Sequence, residues 1–424
     1  MGEVKDEVVG LLPDGTSYGI KIPGEWNGVL VNDLDFHEVP EKRSAILLSQ
    51  GYALSGTRRH SRRRVTYDPY REMTNQARVL ELFHERYIRP QTTIQYGDSG
   101  GGAVALGMSE AFPDLIDGVV AACAQTGLVI ANMQLDLLYS MAMLLSLDLP
   151  FVGVPVAEGE AISQAWRVAV HEAWNHPVGR ARIALALAVS QYPSWVVGSK
   201  PEPGDLRAAT SAVYDAACEA VPRASFLRTQ TELGSGGIPS WNTDVEYAEY
   251  LRHADPAIRT IVDVLYQAAG GPGAMHADLQ RLDEAPRVKG DDGAVHYWTR
   301  WPRLHRAAPE VPVLRIHTTG DGVLPPILTS GYSEGVELNS AEDLYRCFHV
   351  DRAGHCTYTP EEVDAAIEAL RRRIEVGTWD VSPAALNSRV SEMRATGRFV
   401  APPVAHHNRS YLAPTGGPTD FLIR

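Results

Sequence analysis

Residues 94–107 read IQYGDSGGGAVALG. An apolar β-type run is followed by Gly97-Asp98-Ser99-Gly100-Gly101, and a helix of small residues opens behind it. G-x-S-x-G in that setting marks a sharp strand-to-helix turn that lifts a serine hydroxyl above the end of a sheet. The spelling alone decides nothing, because Gly15-Thr16-Ser17-Tyr18-Gly19 and Gly331-Tyr332-Ser333-Glu334-Gly335 share it. Ser17 leads into a strand with no helix behind it, and Ser333 has no strand before it. Only Ser99 has strand, turn and helix in that order. There the glycines keep neighbouring Cβ atoms out of a strained turn. The hydroxyl lies near the positive end of a helix, and the Gly100 N–H can meet a developing oxyanion.

The segments around Ser99 alternate. TSYGIKIP, NGVLVN, GYALSGT, TTIQYG and LIDGVVAAC read as strands, bounded by Gly, Pro and Asn. EKRSAILLSQ, DPYREMTNQARVLELFHERY and GGAVALGMSEAF read as helices. Strands alternating with helices of this length predict a mostly parallel sheet covered by helices on both faces. From residue 128 to 305 the alternation stops. LDLLYSMAMLLSL, ISQAWRVAVHEAW, ARIALALAV and PAIRTIVDVLYQAA are helical, and Trp166, Trp174, Trp195, Trp241, Trp298 and Trp301 fall in this stretch. Strands resume with VPVLRIHTTG and YRCFHV, before the helix TPEEVDAAIEALRRRIEVG. The expectation is an α/β core in two parts, residues 1–127 and 306–424, the second carrying a C-terminal extension, with residues 128–305 inserted as a helical cap.

A serine hydroxyl is a weak nucleophile alone and needs a base with an orienting acid. In this architecture acid and then histidine follow the serine, on loops at the same sheet edge. Of fourteen histidines, His355 stands out in FHVDRAGHCTYTPEE, a glycine-containing loop after a strand and before a helix capped by Thr359-Pro360-Glu361-Glu362. His317 and His349 lie inside strands and read as packing residues. For the acid, VLRIHTTGDGVLPP puts Asp321 in the turn after a strand, whereas VVAACAQTG beyond the nucleophile holds no carboxylate. Asp351, so close to His355 in sequence, reads as a loop-structuring residue.

Together YGDSGGG, TTGDGVLPP and AGHCTYTPEEVDAAIEAL resemble the α/β-hydrolase superfamily, and its bacterial carboxylesterase-like members in particular. The resemblance covers residues 10–127 and 306–377. It implies Ser99 as nucleophile, His355 as base and Asp321 as orienting acid. It also implies an oxyanion hole from the Gly100 N–H and a backbone N–H after the third strand. Many members have a His-Gly pair there; here the stretch is NDLDF, which points to Leu34 as second donor, with Asp33 or Asp35 as alternatives. Two carboxylates beside an oxyanion are unfavourable unless they point away or bind a substrate hydroxyl.

The implied reaction is hydrolysis of a sizeable, partly hydrophobic carboxylic ester or lactone through an acyl-enzyme, with no cofactor. Peptide or amide cleavage, or acyl transfer and cyclisation in biosynthesis, could use the same triad. A ligand-binding protein that catalyses nothing is the alternative from another class.

Composition narrows this further. A net charge of −13 argues against general nucleic-acid binding. No run approaches eighteen apolar residues, so no transmembrane helix is expected. The acidic start MGEVKDEVVGLLPDG lacks a signal core and leaves a cytoplasmic location as the expectation. Cys123, Cys218, Cys347 and Cys356 read as scattered buried thiols; the sharper alternative is a Cys347–Cys356 disulfide bracing the His355 loop. RRHSRRR, residues 58–64, reads as a solvated loop, or as a place at the active edge where Arg58 or Arg59 holds a substrate carboxylate or anchors the cap. In HEAWNH the histidines are five apart, about 140° round a helix, so no zinc site is expected.

Overall fold

The computed structural model describes residues 4–36, 41–60, 68–126, 128–405 and 407–409. Nine strands form one sheet: β1 (Val4–Leu11), β2 (Ser17–Pro23), β3 (Val29–Asp33), β4 (Ala53–Thr57), β5 (Thr92–Asp98), β6 (Gly118–Ala122), β7 (Val313–Gly320), β8 (Tyr345–Ala353) and β9 (Phe399–Val400). Their spatial order is β1-β2-β4-β3-β5-β6-β7-β8-β9. From β4 to β8 neighbours pair in parallel, while β1, β2 and β9 join antiparallel at the edges. Every residue of β3, β4 and β6 is buried. That explains their continuous apolar runs, since a strand covered on both faces has no solvent side to alternate towards.

Helices α1 (Glu41–Ser49), α2 (Pro69–Arg86) and α3 (Gly100–Ala111) alternate with β3 to β6. Eight helices then follow between β6 and β7. They are α4 (Val129–Leu145), α5 (Gly159–Trp174), α6 (Pro177–Val189), α7 (Leu206–Ser235), α8 (Tyr247–His253), α9 (Pro256–Ala268), α10 (Pro272–Glu284) and α11 (Asp292–Thr299). No strand interrupts them among the described residues. α12 (Leu328–Leu338) separates β7 from β8, and α13 (Pro360–Val376) and α14 (Pro383–Glu392) precede β9. One apolar cluster joins the sheet to α2, α3 and the inserted helices through Phe83, Val104 and Leu138. A second covers the opposite face through Leu47, Val363, Ile367 and Leu386. Both faces are therefore shielded, as the alternating pattern predicts. No helix among the described residues is long and apolar enough to cross a membrane.

Three elements depart from the sequence reading. β1 has an alternating exposed pattern on a charged edge, so it carries no apolar stripe to read. α7 runs for 30 residues with Pro222 inside it. A proline usually ends a helical pattern because it leaves the carbonyl four residues back unpaired, but here that carbonyl, of Cys218, accepts Arg167 Nη1 at 3.3 Å, and Ser163 Oγ donates to the Pro222 carbonyl at 2.9 Å. Beyond α14, β9 pairs with β8, and the chain then returns to the inserted helices. Arg409 donates to Asp136 of α4 at 2.7 and 3.1 Å, with both side chains almost fully buried.

Candidate active site

The turn between β5 and α3 has the conformation its glycines allow. Ser99 sits at φ 57° and ψ −118°, a region costly for a residue with a Cβ, on the order of 1–3 kcal/mol. Its N–H is fixed to the Ala122 carbonyl at 2.8 Å. A Cβ on Gly97 would stand 2.1 Å from the Gly101 carbonyl oxygen, and one on Gly102 2.8 Å from the Ala122 oxygen. Strand, turn and helix can approach this closely only without those side chains. The other two G-x-S-x-G serines occupy ordinary positions: Ser17 heads β2, and Ser333 lies inside α12 with its hydroxyl on the Thr329 carbonyl.

The segment after β3 packs against this turn. Leu34 is fully buried, and its Cβ is 3.5 Å from where a Gly101 Cβ would lie. The carboxylates that flank it are tied by arginines. Arg43 of α1 donates to Asp33 Oδ2 at 2.8 Å and to Asp98 Oδ2 at 2.7 Å, while Tyr96 Oη donates to Asp98 Oδ1. Arg59 grips Asp35 through Nε and Nη2. The Asp35 N–H is committed to Asp33 Oδ1 at 3.1 Å, so Asp35 is the weaker of the alternatives as an oxyanion donor. Arg43 escaped the sequence reading. It is one of two adjacent cations in the first turn of EKRSAILLSQ, and its two carboxylate partners lie 10 and 55 positions away.

On the other side, Asp321 lies beyond the end of β7, completely buried. Its Oδ1 accepts the Val323 and Leu324 N–H groups at 2.9 Å each, and its Oδ2 accepts His355 Nδ1–H at 2.7 Å. Burial, with the Cys123 thiol nearby, pushes Asp321 up to about 6, against the lowering effect of His355. For His355 burial works downward, but the charge and hydrogen bond of Asp321 outweigh it and hold the imidazole above its ordinary value. The two loops are joined directly, because the Gly354 N–H donates to the Gly320 carbonyl. Asp351 accepts the Thr319 hydroxyl at 3.0 Å, the loop-structuring position expected of it. His317 and His349 are buried within strands and bond to Leu324 O and Thr329 Oγ1.

Ser99, Gly100 and His355 open onto one cavity of about 330 Å³. Its far wall comes from the inserted helices: Gln134 of α4, Leu227 of α7 and Trp298 of α11. Trp298 is the sole one of that stretch's six tryptophans in the lining among the described residues, whereas Trp166 is wholly buried in the core. Arg59 lines the cavity. Arg58 does not; it is exposed, and its N–H caps Ser17 O. Residues 61–64 of the basic cluster lie outside the described residues. Arg223 of α7 also reaches the cavity, 3.4 Å from Glu219. Nothing local marks it, since only the docking of α7 brings it near Ser99. Among the described residues no hydrogen bond joins Ser99 Oγ to His355, whose Nε2 lies 3.4 Å from Cys356 Sγ.

All four cysteines are free, so the Cys347–Cys356 bond does not form. The reason is extension. Cys347 lies near the start of β8 and Cys356 beyond its end, and the six strand residues after Cys347 alone span roughly 20 Å. A disulfide needs Cα atoms within about 7 Å.

The chain has a full-length relative in sequence. An o-phthalyl amidase of Xanthobacter agilis is 36% identical over 427 residues, covering 93% of this chain and 94% of the amidase. No family model matches the chain. Among solved structures, feruloyl esterase B of Aspergillus oryzae aligns at 14% identity and TM-score 0.41, over 88% of this chain and 81% of its own. Est1E of Butyrivibrio proteoclasticus aligns at 10% identity and TM-score 0.36, over 88% and 100%. With its parallel sheet, strained serine turn and full-length relative, the chain belongs to the α/β-hydrolase superfamily. It is a hydrolase.

Proposed function

We propose that this hydrolase is a serine amidase that opens aryl acyl amides, those of an o-carboxybenzoyl (phthalyl) group foremost, and esters of the same acyl group by the same route. Residues 128–305 act as the cap over the nucleophile. The observation that carries the reading is the strained Ser99 sharing a cavity with His355, whose other nitrogen is held by buried Asp321. The full-length likeness to an o-phthalyl amidase supports an amide rather than a lactone. Two guanidinium groups at the cavity, Arg59 and Arg223, suit an acyl group that carries a carboxylate. Arg59 is bound to Asp35 through two nitrogens at 2.8 and 2.6 Å, whereas Arg223 has one half-exposed contact with Glu219 at 3.4 Å, so Arg223 is the one assigned to the substrate anion.

In the reaction His355 Nε2 takes the Ser99 proton as Oγ attacks the acyl carbon, and Asp321 stabilises the imidazolium. The N–H groups of Gly100 and Leu34 hold the oxyanion. His355 then protonates the leaving amine, and the acyl-enzyme forms. A water deprotonated by His355 releases the acid and restores Ser99. The Ser99–His355 contact tightens when substrate fills the cavity, as nucleophile–base bonds commonly do.

Intact-mass analysis after fluorophosphonate treatment, with peptide mapping and a His355→Ala control, tests the nucleophile. A single adduct on Ser99, lost in the control, is expected; an unmodified folded protein overturns the assignment. Hydrolysis of a phthalyl amide against the benzoyl amide lacking its carboxylate tests the substrate class, and equal kcat/KM removes it.

A further inference from the structure

The ring nitrogen that the mechanism uses has two thiols beside it. Cys356 Sγ is 3.4 Å from His355 Nε2, and Cys123 Sγ, Cys356 Sγ and a ring nitrogen of His355 all lie within 4.8 Å of one another. We propose that Cys123, Cys356 and His355 form a site for one thiophilic divalent cation, Zn²⁺ or Cd²⁺, and that its binding shuts the hydrolase off by occupying the His355 lone pair.

Four observations carry this. The ligand set is two soft thiolates and an imidazole, which selects zinc-group ions over Mg²⁺ or Ca²⁺. With metal–sulfur distances of about 2.3 Å and metal–nitrogen of about 2.0 Å, a tetrahedral ion wants its ligands about 3.5–3.8 Å apart. The three atoms need only contract slightly to meet that. Second, His355 Nδ1–H already donates to Asp321 Oδ2, the carboxylate–histidine arrangement that orients an imidazole towards a metal through its other nitrogen.

Third, the backbone pre-sets both thiols. Cys123 and Cys356 have φ of 40° and 53°, left-handed conformations unusual for residues with a Cβ, and the Cys123 N–H is pinned to Ile316 O. Fourth, charge balances. The hydroxyl protons of Tyr358 and Thr318 go to the Ile316 and Gly354 carbonyls. Cys123 Sγ lies 2.8 Å from Tyr358 Oη and 3.4 Å from Thr318 Oγ1, which hold the sulfur in place. On binding, the cation takes both sulfurs as thiolates and His355 Nε2 as a neutral nitrogen; every proton these three atoms carry leaves to solvent, while two metal–sulfur bonds and one metal–nitrogen bond form. The dication and two thiolates sum to zero, which suits a buried position.

A competing triple, Cys123, His317 and Asp321, is fully buried. There Asp321 serves His355 and two amides, and His317 serves Leu324 O, so both would have to give up existing bonds.

The test is a titration of the reduced full-length protein with Cd²⁺. It follows thiolate-to-metal ultraviolet absorption and calorimetric stoichiometry alongside amide or ester turnover. One Cd²⁺ per chain, a thiolate band and at least a tenfold loss of turnover, restored by chelator, are expected. Cys356→Ser should weaken binding at least a hundredfold and reduce the band, whereas Cys347→Ser should change neither. Each variant's inhibition is normalised to its own metal-free rate. If Cys123→Ser does not fold, the partly exposed Cys356 still decides the matter. Absence of the thiolate band, or undiminished binding by Cys356→Ser, overturns the site. The inhibition rests on His355 being the base, but the absorption does not, so failure of the metal site and failure of the amidase reading are told apart.

Discussion

The two halves of the cavity floor are built from opposite materials. Around Ser99 the structure uses charges: Asp33, Asp35 and Asp98 are locked by Arg43 and Arg59, whose guanidinium groups bridge β3, β5, α1 and the segment after β4. Around His355 it uses one carboxylate, backbone amides, hydroxyls and thiols, with no arginine bonded to Asp321 among the described residues. The difference follows from what each half must do. In the proposed reaction negative charge develops on the oxyanion beside Ser99, so resident carboxylates have to be neutralised in advance. In the same proposed reaction positive charge develops beside His355, where a single unneutralised carboxylate stabilises it.

The sharpest way to break this comparison is at its meeting point. Ser99→Ala should lower kcat by about 10⁶-fold with little change in binding; a variant keeping a hundredth of the activity would mean another nucleophile. Next comes Asp321→Asn, expected to cost about 10³–10⁴-fold in kcat. Only neutral His355 accepts a proton. Because Asp321 raises the imidazole pKa, the acid limb of kcat/KM in the unmodified enzyme lies above pH 6.5. Without the carboxylate, burial dominates and that limb should move to lower pH. An unmoved limb would show that His355 is not the titrating base.

On the nucleophile side the expected loss is in stability. Arg43→Met strands Asp33 and Asp98; the Arg43 and Asp33 side chains are only 7% and 8% exposed. Denaturant unfolding should show a loss of about 3–5 kcal/mol. A loss under 1 kcal/mol would reduce the ionic clamp to an ordinary surface pair. Smallest is Arg223→Ala, which should raise KM about tenfold for carboxylate-bearing substrates and leave neutral ones unchanged. Raised salt should blunt the effect, because Arg223 is half exposed. If Arg59→Ala shows that selectivity instead, the anion is read from the opposite wall.

Much of this was legible along the chain. Ser99 could be chosen among three spellings because a strand-to-helix turn is local, and its glycines record how closely backbone must approach backbone. The Asp321 and His355 turns announced themselves the same way, each following an apolar strand. Arg43 and Arg223 were not legible. Their partners come from distant segments, and an arginine in a helix carries no mark of what will face it. Arg58 and Arg59 are adjacent in sequence, yet the chain at the end of β4 turns one to the cavity and the other to solvent. The thiols show the same limit: along the chain they read as scattered thiols, with a Cys347–Cys356 bond as the alternative, but strand extension separates those two and the sheet sets Cys123 beside Cys356 instead.

The sequence by itself determined the α/β alternation, the helical insertion between β6 and β7, and the three turns at the carboxyl edge of the sheet. These depend on periodicity and on glycine, which act within a few residues. Only the tertiary structure decided which cations neutralise which acids, which walls close the cavity, and which thiols meet the His355 ring. Those contacts join residues tens to hundreds of positions apart, and their geometry exists only once the strands have taken their order in the sheet.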